Sequence, residues 1–176
     1  MNSPVDTGDM NDKSEFSENL NIFRQIEFFS GLSIEVIKLF AFLCKRQTYK
    51  KGDVIFYQDD DDRCAYYVLA GRVQLMLEIE GKNHMIRECG AENFFGVIAL
   101  MSPMMKPLSL IAKEDTTCLV MTREAFLKVV DQFPQVPQII VKTLGQQVLK
   151  VDRKAIFEFE SGKNESLKPF LGISLL

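Results

Sequence analysis

The spacing of hydrophobic residues changes along the chain. Residues 1–15 are polar and show no hydrophobic period, which predicts a flexible N-terminal lead. From residue 16 to residue 43 the apolar positions recur every three or four residues, and Ser30-Gly31 interrupts them, so two short helices are expected. Ser33 is a suitable N-cap for the second helix, and Glu35 would place a negative charge in its first turn, where the helix dipole favours it.

Between residues 47 and 122 the pattern becomes a series of short runs rich in β-branched and aromatic residues. Turn-forming residues separate the runs, and no helical period lies between them. Many short strands at this spacing exclude a βαβ fold and predict a sandwich or a barrel-like roll. The expected strands are VIFY from Val54, AYYVL from Ala65, RVQLMLEI from Arg72, HMIREC from His84 and TTCLVMT from Thr116.

Helical periodicity returns after the roll. Residues 123–132 predict one helix, and Pro137 suits the first turn of a long exit helix that runs to residue 160. The exit helix carries a narrow apolar seam with heptad spacing, which would pack on the roll or against a second copy of the chain. Of these two interpretations we favour the dimer. The seam consists of Val141, Leu144, Val148, Val151 and Ala155.

Composition argues against several classes of partner and location. A net charge of −3 and a pI near 5.3 provide no basic field for a phosphate backbone, so neither DNA nor RNA is expected as a partner. The N-terminus lacks the charged segment and apolar run of a secretory signal, which favours a cytoplasmic protein. Apolar stretches are all too short for a membrane span.

Catalytic and metal chemistry finds little support in the sequence. His84 is the only histidine and the four cysteines form no CxxC pair, so neither a metal site nor a cofactor is expected. Neither a GxSxG elbow nor a glycine-rich phosphate loop occurs, and no catalytic residues are predicted. The carboxylate run Asp59–Asp62 lacks the ligand spacing of a calcium loop and is interpreted as a solvated turn.

Four strings of residues point to a known family. They are FFSGLS at 28–33, KKGDVIFYQ at 50–58, YYVLAGRVQLML at 66–77 and FFGVIALM at 94–101. Because these strings occur in the same order as in the family, the chain resembles the sensor domain of the CRP/FNR and cyclic nucleotide-binding superfamily. The resemblance implies a double-stranded β-helix, or jelly-roll-like β-roll, flanked by N-terminal helices and an exit helix. The expected organisation is a domain at 16–160, with the roll at 47–122 and helices at 123–160, and then a C-terminal tail at 161–176.

The family binds its ligand in a cassette between two strands, where a short helix faces a cyclic phosphate. The resemblance implies the pattern F-G-E-L/I-A-L, in which the glutamate binds the ribose, and a later arginine that binds the phosphate. Here Val97 stands in place of the glutamate and Lys106 in place of the arginine, and Pro107 follows without an N–H. The candidate ligand-binding residues are Phe95, Gly96, Val97, Ile98, Ala99, Leu100, Lys106, Pro107, Leu108 and Ser109.

These departures predict that cAMP and cGMP are not bound in the usual way. Glu92 also stands where the resemblance places a glycine, and it would bring a negative charge near an anionic ligand. Met101, Met104 and Met105 follow the cassette and would either line a pocket or fill it, and we favour filling.

A non-catalytic regulatory domain is therefore expected, and three forms of it remain open. The first is a small-molecule sensor, whose pocket around Val97, Lys106 and Leu108 takes a nucleotide or another effector. The second is an interaction module with a collapsed pocket, which binds a protein partner or its own copy through the exit helix. A DNA-binding regulator ranks third, because roughly 15 residues after the exit helix are too few for a helix-turn-helix, so a stand-alone domain is expected.

Overall fold

Two helices and one short 3₁₀ turn lead into the domain. In the computed structural model, which describes residues 7–160, α1 spans Thr7–Gln25, the 3₁₀ turn Glu27–Phe29 and α2 Ile34–Leu43. Helix α1 includes residues 7–15, where the polar sequence predicted a flexible lead. Hydrophobic periodicity misses such a segment, because a helix can extend through polar residues once its later turns are packed. Residues 1–6 and the predicted tail at 161–176 lie outside the described residues.

The predicted start of α2 is confirmed. Ser33 occupies the N-cap position with extended backbone angles, although its side chain makes no capping hydrogen bond. Glu35 lies in the first turn, and the pKa of its carboxyl is below the ordinary value, mainly because a backbone N–H binds it. The helix buries Val36 and Phe40 against the core.

Within residues 7–160, eight antiparallel strands form two four-stranded sheets. The sheet orders are β1-β8-β3-β6 and β2-β7-β4-β5, so neighbours in a sheet are mostly distant in sequence, as in a jelly roll. The strands are β1 (Lys45–Tyr49), β2 (Val54–Phe56), β3 (Cys64–Ala70), β4 (Val73–Ile79), β5 (Lys82–Cys89), β6 (Phe94–Phe95), β7 (Ser109–Ala112) and β8 (Thr116–Thr122).

The five predicted strands are confirmed as β2, β3, β4, β5 and β8, whereas β1, β6 and β7 were missed. Strand β1 has the sequence KRQTY and lies at a sheet edge, where four of its five residues remain partly or fully exposed. Strand β6 has only two residues and β7 four. None of these three presents a hydrophobic alternation long enough to be recognised in the sequence.

The sharp turn between β3 and β4 requires a glycine. Gly71 has a φ of +92°, in the left-handed region that side chains disfavour. A Cβ atom at this position would lie 2.6 Å from the carbonyl oxygen of Asp115 and 2.7 Å from the Cα of Thr116. The turn can therefore close against the β7–β8 connection only when residue 71 has no side chain.

Helices follow the roll and cover it. Helix α3 spans Arg123–Gln132, as predicted, and the hydroxyl of Thr122 caps it by accepting a hydrogen bond from the backbone N–H of Ala125 at 3.1 Å. Helix α4 spans Val136–Glu160. Within residues 7–160, no helix combines the length and the hydropathy that a bilayer crossing requires.

Among the residues whose side chains are described, the buried ones form two clusters, which we call the roll core and the helical core. The roll core lies between the two sheets and includes Phe56, Tyr66 and Phe95. The helical core lies between the helices and the roll and includes Phe40 and Phe126, whose rings stack at 5.9 Å. The connection between β6 and β7 contributes to both cores, and this is the segment in which the cassette was predicted.

Candidate functional site

The predicted cassette begins with a short 3₁₀ helix at Val97–Leu100. Gly96 precedes it with a φ of +76°, and its carbonyl accepts a hydrogen bond from the N–H of Ala99 at 3.1 Å. Phe95 points into the roll core, whereas Val97 and Leu100 belong to the helical core. The segment is therefore anchored by apolar side chains on both sides.

Lys106 is the most unusual residue of the cassette, because it is a lysine that is only 1% exposed. Its Nζ donates a hydrogen bond to the carbonyl oxygen of Cys64 at 2.7 Å and lies 3.1 Å from Oδ1 of Asp62. The same nitrogen lies 4.9 Å from the ring centroid of Phe56, which gives a cation–π contact. The ammonium group is thus bound by the protein itself.

The backbone of Lys106 is fixed to the carboxylate run at residues 59–62. Its N–H donates to the carbonyl oxygen of Asp60 at 2.9 Å, and its own carbonyl oxygen accepts from the N–H of Asp59 at 2.7 Å. These two bonds hold the lysine and the acidic loop side by side. The position of the Lys106 side chain is therefore set by its backbone as well as by its ion pair.

Gly96 is required by the position of this lysine. A Cβ at residue 96 would lie 2.7 Å from the carbonyl oxygen of Cys64 and still closer to Nζ of Lys106. The backbone of Gly96 thus packs directly against the ammonium group. No larger residue fits here while Lys106 keeps its contacts.

Asp62, the partner of Lys106, is itself held by two further donors. The hydroxyl of Tyr66 donates to Oδ2 at 2.8 Å, and the backbone N–H of Cys64 donates to Oδ1 at 3.0 Å. Burial raises the pKa of Tyr66, and the charge and hydrogen bond of Asp62 raise it further, so the phenol stays protonated as the donor. Both oxygens of the carboxylate are satisfied inside the protein.

A second ion pair fixes the same loop to the other end of the 3₁₀ helix. The guanidinium of Arg123 binds Asp61 with two hydrogen bonds of 2.6 and 3.1 Å, in the two-pronged geometry that arginine favours. It also donates to the carbonyl oxygens of Ala99 at 2.5 Å and Ser102 at 3.0 Å. The hydrogen bond from Arg123 is the main reason that the pKa of Asp61 lies below its ordinary value.

The interpretation of Asp59–Asp62 as a solvated turn is therefore wrong for its second half. Asp61 and Asp62 are partly buried and pair with Arg123 and Lys106. The run of four carboxylates was visible in the sequence, but its partners lie in β8–α3 and in the cassette. Only the folded chain brings these groups together.

The last three candidate residues of the cassette, and the methionines that follow the 3₁₀ helix, differ in their burial and contacts. Pro107 is exposed, Leu108 packs against the roll core, and the hydroxyl of Ser109 accepts a hydrogen bond from the N–H of Gln58 at 2.8 Å. Met104 and Met105 are exposed, the latter by 67%, so the prediction that they fill the pocket is wrong, whereas Met101 packs partly against the helical core. The Lys106 side chain is buried, and its charge has partners inside the protein.

Glu92 was predicted to bring a negative charge near an anionic ligand, and this stays a prediction. In the structure it lies beside Tyr67. Its φ of +66° is in the left-handed region, which agrees with the glycine that the resemblance places at this position.

The predicted seam of α4 is described for two of its five positions. Val141 is 58% exposed, whereas Leu144 packs partly against the helical core. The side chains of Val148, Val151 and Ala155 lie outside the described residues. The two described positions thus have different surroundings, and the dimer seam stays a prediction.

Comparison with known proteins identifies the family. The cyclic nucleotide-binding domain family matches residues 46–133, half of the chain. The chain belongs to this family. The cyclic AMP receptor protein of Thermus thermophilus is 28% identical over 138 residues, which cover 77% of this chain and 64% of that protein. The lysophospholipase nte1 of Aspergillus terreus is 29% identical over 98 residues, 55% of this chain and 6% of that protein. The chain thus spans less than two thirds of these relatives.

Solved structures agree with the fold. The catabolite activator protein of T. thermophilus matches with a TM-score of 0.59 and 28% identity, over 78% of this chain and 63% of that chain. The N-terminal domain of a transcriptional regulator from Streptomyces coelicolor matches with a TM-score of 0.65 and 19% identity, over 76% and 93%. A cyclic nucleotide-binding-like protein from Brucella abortus matches with a TM-score of 0.60 and 22% identity, over 65% and 98%.

Proposed function

We propose that this cyclic nucleotide-binding-type regulatory domain is non-catalytic and that its own Asp62 closes the cassette, so that cAMP and cGMP are not bound in the usual way. The observation that carries the proposal is the pair of Lys106 and Asp62. Lys106 stands where the resemblance implies the phosphate-binding arginine. Its ammonium group is buried and forms an ion pair with the carboxylate of Asp62. Asp62 acts there as an internal substitute for an anionic ligand.

The free energy of this pair argues against an incoming phosphate. A cyclic nucleotide would have to take Lys106 away from Asp62 and leave that carboxylate with only Tyr66 and the Cys64 N–H. Removing one partner of a buried ion pair costs about 3–5 kcal/mol. Such a cost lowers affinity by about two to four powers of ten, which removes an ordinary micromolar site.

The ribose side of the cassette offers no compensation. Val97 stands where the family pattern has a glutamate, and it is 1% exposed within the helical core. Its aliphatic side chain cannot accept a hydrogen bond from a ribose hydroxyl. Pro107, next to Lys106, has no N–H to donate to a phosphate oxygen.

The interior of the roll supports the interaction module over the small-molecule sensor. Phe56, Tyr66, Phe95 and Leu110 are buried between the two sheets, and the rings of Phe56 and Tyr66 lie 5.5 Å apart. On helix α4, Val141 and Leu149 are each more than half exposed, which favours a protein partner or a second copy on this helix. A sensor with an altered nucleotide pocket is the alternative, and the retained charge of Lys106 supports it.

Titration calorimetry of the full chain with cAMP and cGMP tests the proposal. We expect no binding at about 100 μM nucleotide, because the positive charge of Lys106 is already paired with Asp62. Asp62→Asn should strengthen any weak nucleotide or phosphate binding, whereas Asp60→Asn, a change of an exposed carboxylate in the same loop, should not. Micromolar binding of cAMP by the unmodified chain would contradict the proposal and return the domain to the nucleotide sensors.

A further inference from the structure

A cavity of about 350 Å³ lies outside the roll, where the helices meet the cassette. The end of α1 and the 3₁₀ turn at Glu27–Phe29 form one side of it. The β5–β6 turn, Phe94 and Val97 form the other side, and Gln147 of α4 also contributes. The volume is at the lower end of the range for small-molecule sites. Lys106 and Asp62 do not belong to its lining.

Three aromatic rings line this cavity, together with the aliphatic side chains of Ile26 and Val97. Phe28 and Phe94 meet edge to face with ring centroids 5.7 Å apart, and Tyr67 and Phe94 meet in the same way at 6.0 Å. These contacts fix the three rings relative to one another. Aromatic rings attract organic cations through their negative faces, and carboxylates nearby strengthen that preference.

The charged groups of the cavity have one sign. Its lining includes the carboxylates of Glu27 and Glu92, and among the described lining residues there is no lysine, arginine or histidine. Glu27 pairs with Lys150 of α4, which lies outside the lining. Burial raises the pKa of Tyr67, and the charge of Glu92 raises it further, so Glu92 acts electrostatically on the aromatic wall.

Glu92 holds its place in an unfavourable backbone conformation. Its φ of +66° lies in the region that favours glycine, and its N–H donates to the carbonyl oxygen of Val68 at 2.9 Å. Glycine would satisfy the same backbone geometry without strain. The carboxylate therefore adds nothing that the turn itself needs, while it supplies negative charge to the cavity.

We propose that this cavity binds a small organic ammonium ion, with its alkyl groups against Tyr67 and Phe94 and its charge near Glu92, while the buried ring of Phe28 supports Phe94. An anion is disfavoured by the carboxylate of Glu92, whereas the charge of Glu27 is balanced by Lys150. A hard metal cation is disfavoured as well, because it requires about six oxygen ligands rather than aromatic rings. Because Val97 and Gln147 both line the cavity, an occupant would contact the cassette and α4 together. This inference does not depend on whether the cassette binds a nucleotide.

Choline and its uncharged isostere 3,3-dimethylbutan-1-ol are suitable probes. Each is titrated into the ¹⁵N-labelled full chain, and amide chemical shifts are followed by NMR. We expect choline to shift the amides of Glu92, Phe94 and Gln147 at millimolar concentration, and the isostere to bind about fivefold more weakly. Equal binding of the two probes, or no shifts with choline up to about 20 mM, would overturn the proposal.

Two glutamates in the same backbone conformation give a matched pair of variants. Glu92→Gly should weaken choline binding about threefold to fivefold and leave thermal stability unchanged or higher, since it relieves the strain. Glu80→Gly makes the same change at a φ of +51° in the β4–β5 turn, and it should leave choline binding unchanged. Unaltered choline binding in folded Glu92→Gly would contradict the role of this carboxylate.

Discussion

Nζ of Lys106 lies 3.1 Å from Oδ1 of Asp62, and the two side chains are only 2% and 15% exposed. Such a pair contributes little net stability compared with apolar residues, but either partner alone is a buried, uncompensated charge. Loss of either partner is therefore expected to destabilise the cassette.

A double-mutant cycle measures this coupling. Asp62→Asn and Lys106→Met should each lower the free energy of unfolding by about 3–5 kcal/mol, and the double variant by clearly less than their sum. Urea denaturation of the four proteins gives these values. Asp60→Asn is the control and should change stability by less than about 0.5 kcal/mol. Additive losses in the double variant would show that the two groups do not interact.

Gly96→Ala tests the contact between the backbone and the lysine. The added Cβ meets the carbonyl of Cys64 and Nζ of Lys106, so we expect a loss of at least about 2 kcal/mol in unfolding free energy. Gly52→Ala is the matched control, because its φ is +93° but a Cβ there would meet nothing within 4 Å. Gly52→Ala should lower the free energy of unfolding by only about 1 kcal/mol, which is the cost of placing alanine at a positive φ. Equal losses at both positions would contradict the packing argument.

The pair of Arg123 and Asp61 predicts a dependence of stability on pH. The folded chain lowers the pKa of Asp61, so this group contributes stability above its unfolded pKa and loses it as pH falls through the lower folded value. Thermal melts between about pH 3 and pH 7 should therefore show a smaller loss on acidification for Asp61→Asn than for the wild type. Asp60→Asn should retain the wild-type dependence. An unchanged profile in Asp61→Asn would argue against a native-state role of the pair.

Repair of the cassette tests the proposal that Asp62 closes it. The variant Val97→Glu, Lys106→Arg and Pro107→Ala restores a carboxylate, a two-pronged donor and an N–H, together on the order of 3–6 kcal/mol. We expect measurable cAMP binding by calorimetry only when Asp62→Asn is added, because Asp62 otherwise keeps the cation. Circular dichroism monitors folding. Failure of the folded fourfold variant would indicate that the filled roll core excludes the nucleotide.

Dimerisation through α4 is tested by light scattering of the full chain, which should give the mass of a dimer. Val141→Asp should convert it to a folded monomer, because Val141 is exposed in the single chain. Leu144→Asp should lower thermal stability as well, because Leu144 packs partly against the helical core. A monomeric wild type would contradict the seam, and a dimeric Val141→Asp variant would place the interface elsewhere.

Patterns among residues that are close in sequence predicted much of this fold. The β-branched and aromatic runs identified five strands, and the spacing of apolar positions gave α3 at residues 123–132. The family strings at residues 28–101 predicted the family, and the family match at residues 46–133 confirms it. These features could be predicted because a strand or helix imposes its period on residues that are close in sequence.

The tertiary structure decided which charged groups meet. Asp61 and Arg123 are 62 residues apart in sequence, and Lys106 reaches the carbonyl of Cys64 across 42 residues. Pairing of the strands brings these distant residues together. The local spacing of apolar residues gives no information about which strands pair. The burial of Lys106 also depends on long-range contacts. Lysine is usually a surface residue, but here Asp62, Cys64 and Phe56 surround its ammonium group. The sequence by itself determined five of the eight described strands, because their period is local, whereas the partners of Lys106 and Arg123 depend on long-range contacts, which exist only in the folded chain.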